Sequence, residues 1–227
     1  MTHILDNPIW NALITSNTHL AYGSEQAKYL KREVGIFAGL KTNSESDLSN
    51  LQLLIPERSL VVLFTPEELS IQAGWQVVLQ KAIFQMVYEQ VDSPRVDDQE
   101  LVRLHEQDIP AMLNLTALTK PGPFLSRTIE FGHYEGIYKG NNLVAMAGQR
   151  LQPDPYTEIS AVCTHPDYTG KGYAAKLVCS QISQITTVSR IPFLHVNTNN
   201  TAAYRLYESL GFQIRKSMLV YVLEKES

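Results

Sequence analysis

The sequence predicts an α/β protein in two parts. A smaller α/β unit spans residues 1–92 and a larger one spans residues 100–227, with a linker at 93–99. Three observations carry this reading. The stretch from Asp92 to Asp98 is polar and holds Pro94, which breaks regular structure. Downstream of it, short apolar runs alternate with segments of helical spacing, in the order strand, two helices, three strands, helix, strand, helix, strand. Upstream, the run Leu60-Val61-Val62-Leu63-Phe64 follows the breaker Pro56 and has the length and content of a buried strand.

In the first unit, Ile9, Trp10, Leu13 and Ile14 predict a short helix, with Asn7 as its cap and Pro8 at its first position. Ser24 to Arg32 reads as helix and Val34 to Leu40 as strand. Ser46 to Leu54 reads as a helix capped by Ser44 or Ser46. Ala82 to Val91 is apolar, and its pattern does not choose between helix and strand. In the second unit, Leu101–Leu104 reads as a strand, and Pro110–Leu118 and Phe124–Ile129 as helices. Tyr134–Tyr138 and Leu143–Leu151 form a hairpin around Lys139-Gly140-Asn141-Asn142. Thr157–Thr164 is a strand. Ala174, Leu177, Val178, Ile182 and Ile185 recur at helical spacing, and Phe193–Val196 is a strand. Ala203, Leu206, Tyr207 and Leu210 share a helix face with Gly211 at its end, and Met218–Leu223 closes as a strand.

A chain of 227 residues with 44% hydrophobic content is long enough for a sizeable core. The net charge of −4 argues against a general nucleic-acid binder. The acidic excess lies in residues 1–98, and residues 99–227 are close to balanced. Cys163 and Cys179 make no disulfide framework and read as small buried hydrophobes. The N-terminus shows neither a signal-peptide pattern nor an apolar run of membrane-spanning length, so a cytoplasmic protein with no membrane partner is expected.

The most informative stretch runs from Glu158 to Ala175. It reads as strand, Gly-rich turn and helix start, with no acidic side chain between Thr169 and Ala175. Such a turn aims unpaired N–H groups and the positive end of a helix dipole at one place, which suits phosphate. The N–H groups of Gly170, Lys171, Gly172, Tyr173 and Ala174 are the candidates. Lys171 is followed by Gly172, which excludes the mononucleotide loop G-x-x-x-x-G-K-[ST]. Ala175, where G-x-G-x-x-G ends in glycine, excludes that fingerprint as well.

A second segment, Asn200-Thr201-Ala202-Ala203-Tyr204-Arg205-Leu206-Tyr207-Glu208-Ser209-Leu210-Gly211-Phe212, sharpens the reading. Together the two segments resemble the signature of the GCN5-related N-acetyltransferases (GNAT), here of the FR47-like type. The family's acyl-CoA loop Q/R-x-x-G-x-G/A is matched at Gly172 and Ala174. Its later element N-x-x-A-x-x-x-Y-x-x-x-G-F is matched at Asn200, Ala203, Tyr207, Gly211 and Phe212. The resemblance covers roughly residues 100–224. Thr169 departs from it, standing where the family has Gln or Arg, which puts a side-chain contact to pyrophosphate in doubt.

The resemblance implies a mixed, mostly antiparallel sheet flanked by helices, with acetyl-CoA as co-substrate and no metal. It implies that backbone groups of Val162, Cys163 and Thr164 pair with the pantetheine arm. It places residues 169–174 at the pyrophosphate, with Asn200 also on the cofactor side. Tyr207 is then the acid that protonates the leaving thiolate, although a core tyrosine would satisfy the same helix face. Glu158 is the candidate base, with a water or another residue as the alternative; His133, His165 and His195 also titrate near neutrality. Alternation puts Glu158 on one face of its strand with Ser160 and Val162, opposite Ile159, Ala161 and Cys163. Phe124, Arg127, Phe131, His133 and Tyr134 fall where the fold admits an acceptor, and Arg127 is a candidate carboxylate clamp.

The expected function is acetyl transfer from acetyl-CoA to a primary amine, on a small molecule or a peptide, by direct attack. The alternative is an acyl-CoA-binding or regulatory module without turnover. A homodimer is compatible with either, and the first unit would cover the acceptor side or make the dimer contact.

Overall fold

The computed structural model describes residues 3–90, 94 and 99–226. The elements run α1 (Pro8–Ile14), β1 (Ala21–Gly23), β2 (Ala27–Leu30), β3 (Ala38–Leu40), α2 (Glu45–Leu54), β4 (Leu60–Thr65), β5 (Trp75–Tyr88), β6 (Val102–Arg103), α3 (Ile109–Thr119), β7 (Glu135–Lys139), β8 (Asn142–Gln149), β9 (Tyr156–Thr164), α4 (Tyr173–Thr187), β10 (Ile191–Asn197), α5 (Thr201–Ser209) and β11 (Phe212–Lys225). β1, β2 and β3 make a small sheet. The other strands form one eight-stranded sheet in the order β4-β11-β5-β10-β9-β8-β7-β6. The β9–β10 contact is parallel, and the remaining strand pairs of the large sheet are antiparallel.

The expected linker falls mostly outside the described residues, with only Pro94 and Gln99 of it inside. On its two sides the strands share a sheet. β5 lies between β10 and β11, and β4 flanks β11 on the far edge. The segment expected to form a separate N-terminal unit therefore supplies two strands to the large sheet. One core cluster joins Leu5, Ile9, Leu13, Val34 and Phe37 to Met112, Met146, Phe193 and Met218. Burial of this apolar surface, at roughly 25 cal/mol per Å², ties the two parts together.

Two local expectations change, and one undecided run takes a form. Ser24–Arg32 is not helical, because the Ser24 hydroxyl takes the N–H groups of Gln26 and Ala27 and turns the chain into β2. Pairing with β1 and β3 then outweighs the helix propensity of Glu25-Gln26-Ala27-Lys28. Phe124–Ile129 gives only a single 3₁₀ turn at Thr128–Phe131, held by the Thr128 hydroxyl, which donates to Val34 O and accepts from Leu125 N. Of the undecided Ala82–Val91 run, residues 82–88 belong to β5, whose strand extends from Trp75 to Tyr88, and Val91 lies outside the described residues. The predicted caps hold better. Asn7 precedes α1, although its Nδ2 donates to Leu40 O instead of capping, and Ser44 caps α2 by accepting from Asp47 N.

Candidate active site

β9 and β10 pair only over Tyr156–Glu158 and Ile191–Phe193. Beyond that point both continue, β9 to Thr164 and β10 to Asn197, without pairing to each other. A cleft of about 630 Å³ lies in the gap. Residues 159–164 of β9 line one wall. His195, Val196 and Asn197 of β10 and Ala203 and Tyr207 of α5 line another. The third wall comes from the chain's first part and from β11: Phe37, Val62, Phe64, Leu79, Lys81, Ile83, Val220 and Val222.

A β-bulge shapes the first wall. The β8–β9 register shifts between Met146 and Gly148, and Ala161 has φ 53°, a left-handed conformation rare for alanine. The bulge breaks the strict alternation expected of β9. Ile159 and Val162 both pack in the cluster beneath α4 and α5, while Ala161 and Cys163 belong to the opposite core. The strain sits in the cleft wall. Thr164 Oγ1 is buried there without a hydrogen-bond partner among the described residues, and burial pushes the Cys163 thiol up to about 11, which makes it a poor nucleophile.

β9 leads into the Gly-rich turn. His165 serves the turn: its Nδ1 accepts from Asp167 N and shapes it. The Thr169 hydroxyl donates to Pro166 O at 2.9 Å, so it is spent on the turn and does not replace the family's Gln or Arg. Gly170 and Gly172 have φ 75° and 78°. Gly172 is the N-cap of α4, no side chain caps the helix, and its first turn carries no acid. The first N–H groups of α4 thus keep no intrahelical partner, as an anion site requires. A methyl group at Gly170 or Gly172 would meet nothing within 4 Å, so the glycines are not there for packing. Lys171 lies over the Tyr168 ring at 4.5 Å.

Tyr207 is buried, and its hydroxyl takes no hydrogen bond among the described residues. Burial, with the nearby Cys163, raises it to about 12, so it stays a neutral donor through the neutral range. Tyr204, on another face, is bonded to Glu208. Asn200 lines the cleft and caps α5, with Oδ1 accepting from Ala203 N at 3.1 Å. Asn200→Ala is expected to cost about 1 kcal/mol of stability, measured by urea denaturation.

The structure corrects the expectation for Glu158. It is fully buried and does not line the cleft. Its carboxylate receives Arg150 Nε at 2.8 Å and Nη2 at 2.7 Å, Leu151 N at 3.3 Å and His195 Nδ1 at 2.7 Å. Burial alone would raise its pKa, but the Arg150 guanidinium and the His195 bond outweigh it and hold the carboxyl at about 2. Such a group does not take a proton at neutral pH. His195 is not a base either. Burial lowers its pKa against the opposing pull of Glu158. With Nδ1–H donating to Glu158, Nε2 accepts from Gln85 Nε2 at 3.1 Å, and that amide also donates to Leu5 O. Gln85 Oε1 in turn accepts from Arg215, which pairs with Asp6. Arg150 lies over Phe37 at 4.5 Å, and His195 packs on Phe64 with centroids 4.7 Å apart.

Of the five expected acceptor residues, Phe124 and Tyr134 border a small recess that shares Arg150, Ser160 and Ala161 with the cleft. Gly148 makes room for the Tyr134 ring, which would stand 2.3 Å from an added Cβ. Phe131 is core, His133 is exposed, and Arg127 is exposed and paired with Glu130, which removes it as a carboxylate clamp. Sequence reasoning missed the lining from Phe37, Val62, Phe64, Lys81 and Ile83, and the partnership of Arg150 with Glu158. An Arg and a Glu eight residues apart in apolar strands flanking a turn were the available signal for that pair. No cluster of metal-ligating groups occurs among the described residues, and none of their helices is long and apolar enough to cross a membrane.

The FR47-like protein family model matches residues 134–220, a stretch that holds the turn, Glu158 and Tyr207. A solved GNAT-family structure from Novosphingobium aromaticivorans is 35% identical, with TM-score 0.93, covering 100% of both chains. The chain belongs to the GNAT family. Among curated proteins, the N-alpha-acetyltransferase RimI of Mycobacterium tuberculosis is 34% identical over 87 residues, or 36% of this chain and 52% of the relative. The chain thus spans about half the length of that relative. A GCN5-related N-acetyltransferase from Kribbella flavida, 13% identical with TM-score 0.61 over 96% of this GNAT chain, shares the fold. Both the Novosphingobium structure and the RimI relative carry the acetyltransferase name.

Proposed function

We propose that the protein transfers the acetyl group of acetyl-CoA to a primary amine by direct attack. The observation that carries this reading is the uncapped start of α4 at Gly172, beyond the turn that follows a strand parting from its neighbour, together with Tyr207, which lines the gap between those strands. N–H groups of residues 170–174 would hold the pyrophosphate. The backbone of Val162, Cys163 and Thr164, residues that line the cleft, would pair with the pantetheine arm. Asn200 lies on the same side of the cleft.

Acetyl-CoA supplies the activated acyl group. The amine nitrogen bonds the carbonyl carbon as the C–S bond breaks. The thiolate takes the Tyr207 proton, which solvent replaces, and the amine's own proton leaves to water. No carboxylate lines the cleft among the described residues, whereas Lys81 and Lys120 do, and the charge of Arg150 there is balanced by Glu158. This cationic, partly apolar setting lowers the pKa of a bound ammonium, so the acceptor reacts as free amine without an enzymic base. Glu158 holds Arg150 and His195 in place.

The missing base also favours a second reading, an acyl-CoA-binding module without turnover. Thiol release from acetyl-CoA, followed across a panel of primary amines, decides between them. Amine-dependent release supports the transferase. Binding without release from any amine would sink it.

Gly172→Ala offers a separate check on the phosphate site. A Cβ at φ 78° costs roughly 1–2 kcal/mol of stability. Since that Cβ meets no protein atom, a loss of CoA affinity of tenfold or more in a calorimetric titration is expected, from obstruction of the anion alone.

A further inference from the structure

Resting on the acyl-transfer reading, we infer that the acceptor is the N-terminal segment of a polypeptide, laid as an added antiparallel strand on the open edge of β5 with its α-amine in the cleft. β11 covers one edge of β5 from Trp75 to Tyr88, but β10 covers the other only from Ile83 to Val87. Residues 76–82 therefore present an edge without a neighbouring strand among the described residues.

Two observations say which backbone groups face that edge. Ala82 O accepts from Thr198 Oγ1 on the β10 side. On β4, Val62 N points to Ile36 O, away from β11, so Val61 and Leu63 bond to β11. Val220 and Val222 then bond to Lys81 and Leu79 of β5. By the two-residue period, the N–H and C=O of Gln80 point outward to the open edge.

Open edges are ordinarily guarded. Here Val77, Val78 and Leu79 are 44%, 52% and 42% exposed. The register shift opposite Val222 and Leu223 leaves Val78 as an extra residue. That bulge interrupts a long ladder with a second copy of this chain but leaves the inner groups at Gln80 intact. The edge also runs into the cleft: Leu79, Lys81 and Ile83 belong to its lining. β5 runs inward from Trp75 to Ile83. A peptide with its amine at the inner end therefore runs outward, antiparallel to β5. Seven residues of edge span roughly 23 Å at about 3.3 Å each, enough to fix several peptide residues. Backbone pairing of this kind recognises an extended chain and leaves its side chains to tune selectivity.

The test uses the wild-type protein with acetyl-CoA, n-butylamine, and hexapeptides randomised at every position. On the best peptide, each of the first five backbone amides is N-methylated in turn. The expected result is transfer to peptides in preference to n-butylamine, with kcat/KM falling tenfold or more at alternate amides and little at those between. Gln80→Pro, which removes an edge N–H, is expected to lower kcat/KM for the peptide tenfold or more. Gln80→Ala, which keeps the N–H and loses only the bond to the Tyr221 hydroxyl, is expected to stay within about twofold. An N-methyl profile without alternation, or equal effects of the two variants, overturns the inference. Transfer to n-butylamine but to no peptide overturns it while leaving acyl transfer standing. Transfer to neither overturns both.

Discussion

Glu158→Ala is expected to destabilise the protein by about 3–5 kcal/mol, because it leaves the buried Arg150 guanidinium without its counter-charge. The loss extends beyond one pair. His195 would lose its acceptor at 2.7 Å, and the chain of bonds through Gln85 and Arg215 to Asp6 would lose its anchor. That chain ties the first residues of the protein to β5, β10 and β11, so urea denaturation should show the effect in the whole fold, not only at the cleft. Acid titration provides a second readout. The folded-state pKa of about 2 lies below the ordinary 4.5. The pair's contribution is therefore complete above about pH 4.5 and is lost as pH falls toward 2, on the order of 3 kcal/mol in all. Wild-type stability should drop over that window, and a Glu158→Gln protein should show a smaller drop. A wild-type stability flat from pH 5 to pH 2.5 would contradict this account of Glu158.

Tyr207→Phe is expected to lower kcat tenfold or more while leaving acetyl-CoA affinity within about twofold. The phenol is buried, raised to about 12 and without a hydrogen bond among the described residues, so removing its oxygen should cost little stability. A core tyrosine would give the opposite pattern, with unchanged turnover. The comparison is clean because Phe keeps the ring contact with Phe212, whose centroid lies 6.1 Å away.

Local chemistry was legible in the sequence where one stretch of chain builds one feature. The turn at residues 169–174, the cap of α2 at Ser44 and the hairpin at residues 139–142 depend on neighbours within a few residues, and each formed as expected. Long-range pairing was not legible. Nothing in Trp75–Tyr88 states that it enters the sheet between β10 and β11, so the third wall of the cleft was invisible. Glu158 was misread for a related reason. Its place on β9 was right, but its role depends on Arg150 across the turn and His195 from β10, and on a bulge at Ala161 that breaks the alternation used to orient it. Ser24–Arg32 failed because helix propensity is weak against three-stranded pairing.

The most direct test of the central claim, that the cleft transfers acetyl to a free amine without a carboxylate base, is the pH dependence of kcat/KM for two amine acceptors of different basicity. The account predicts an ascending limb whose midpoint moves with the acceptor's own pKa. A limb at the same pH for both acceptors would reveal a titrating base on the protein and contradict it.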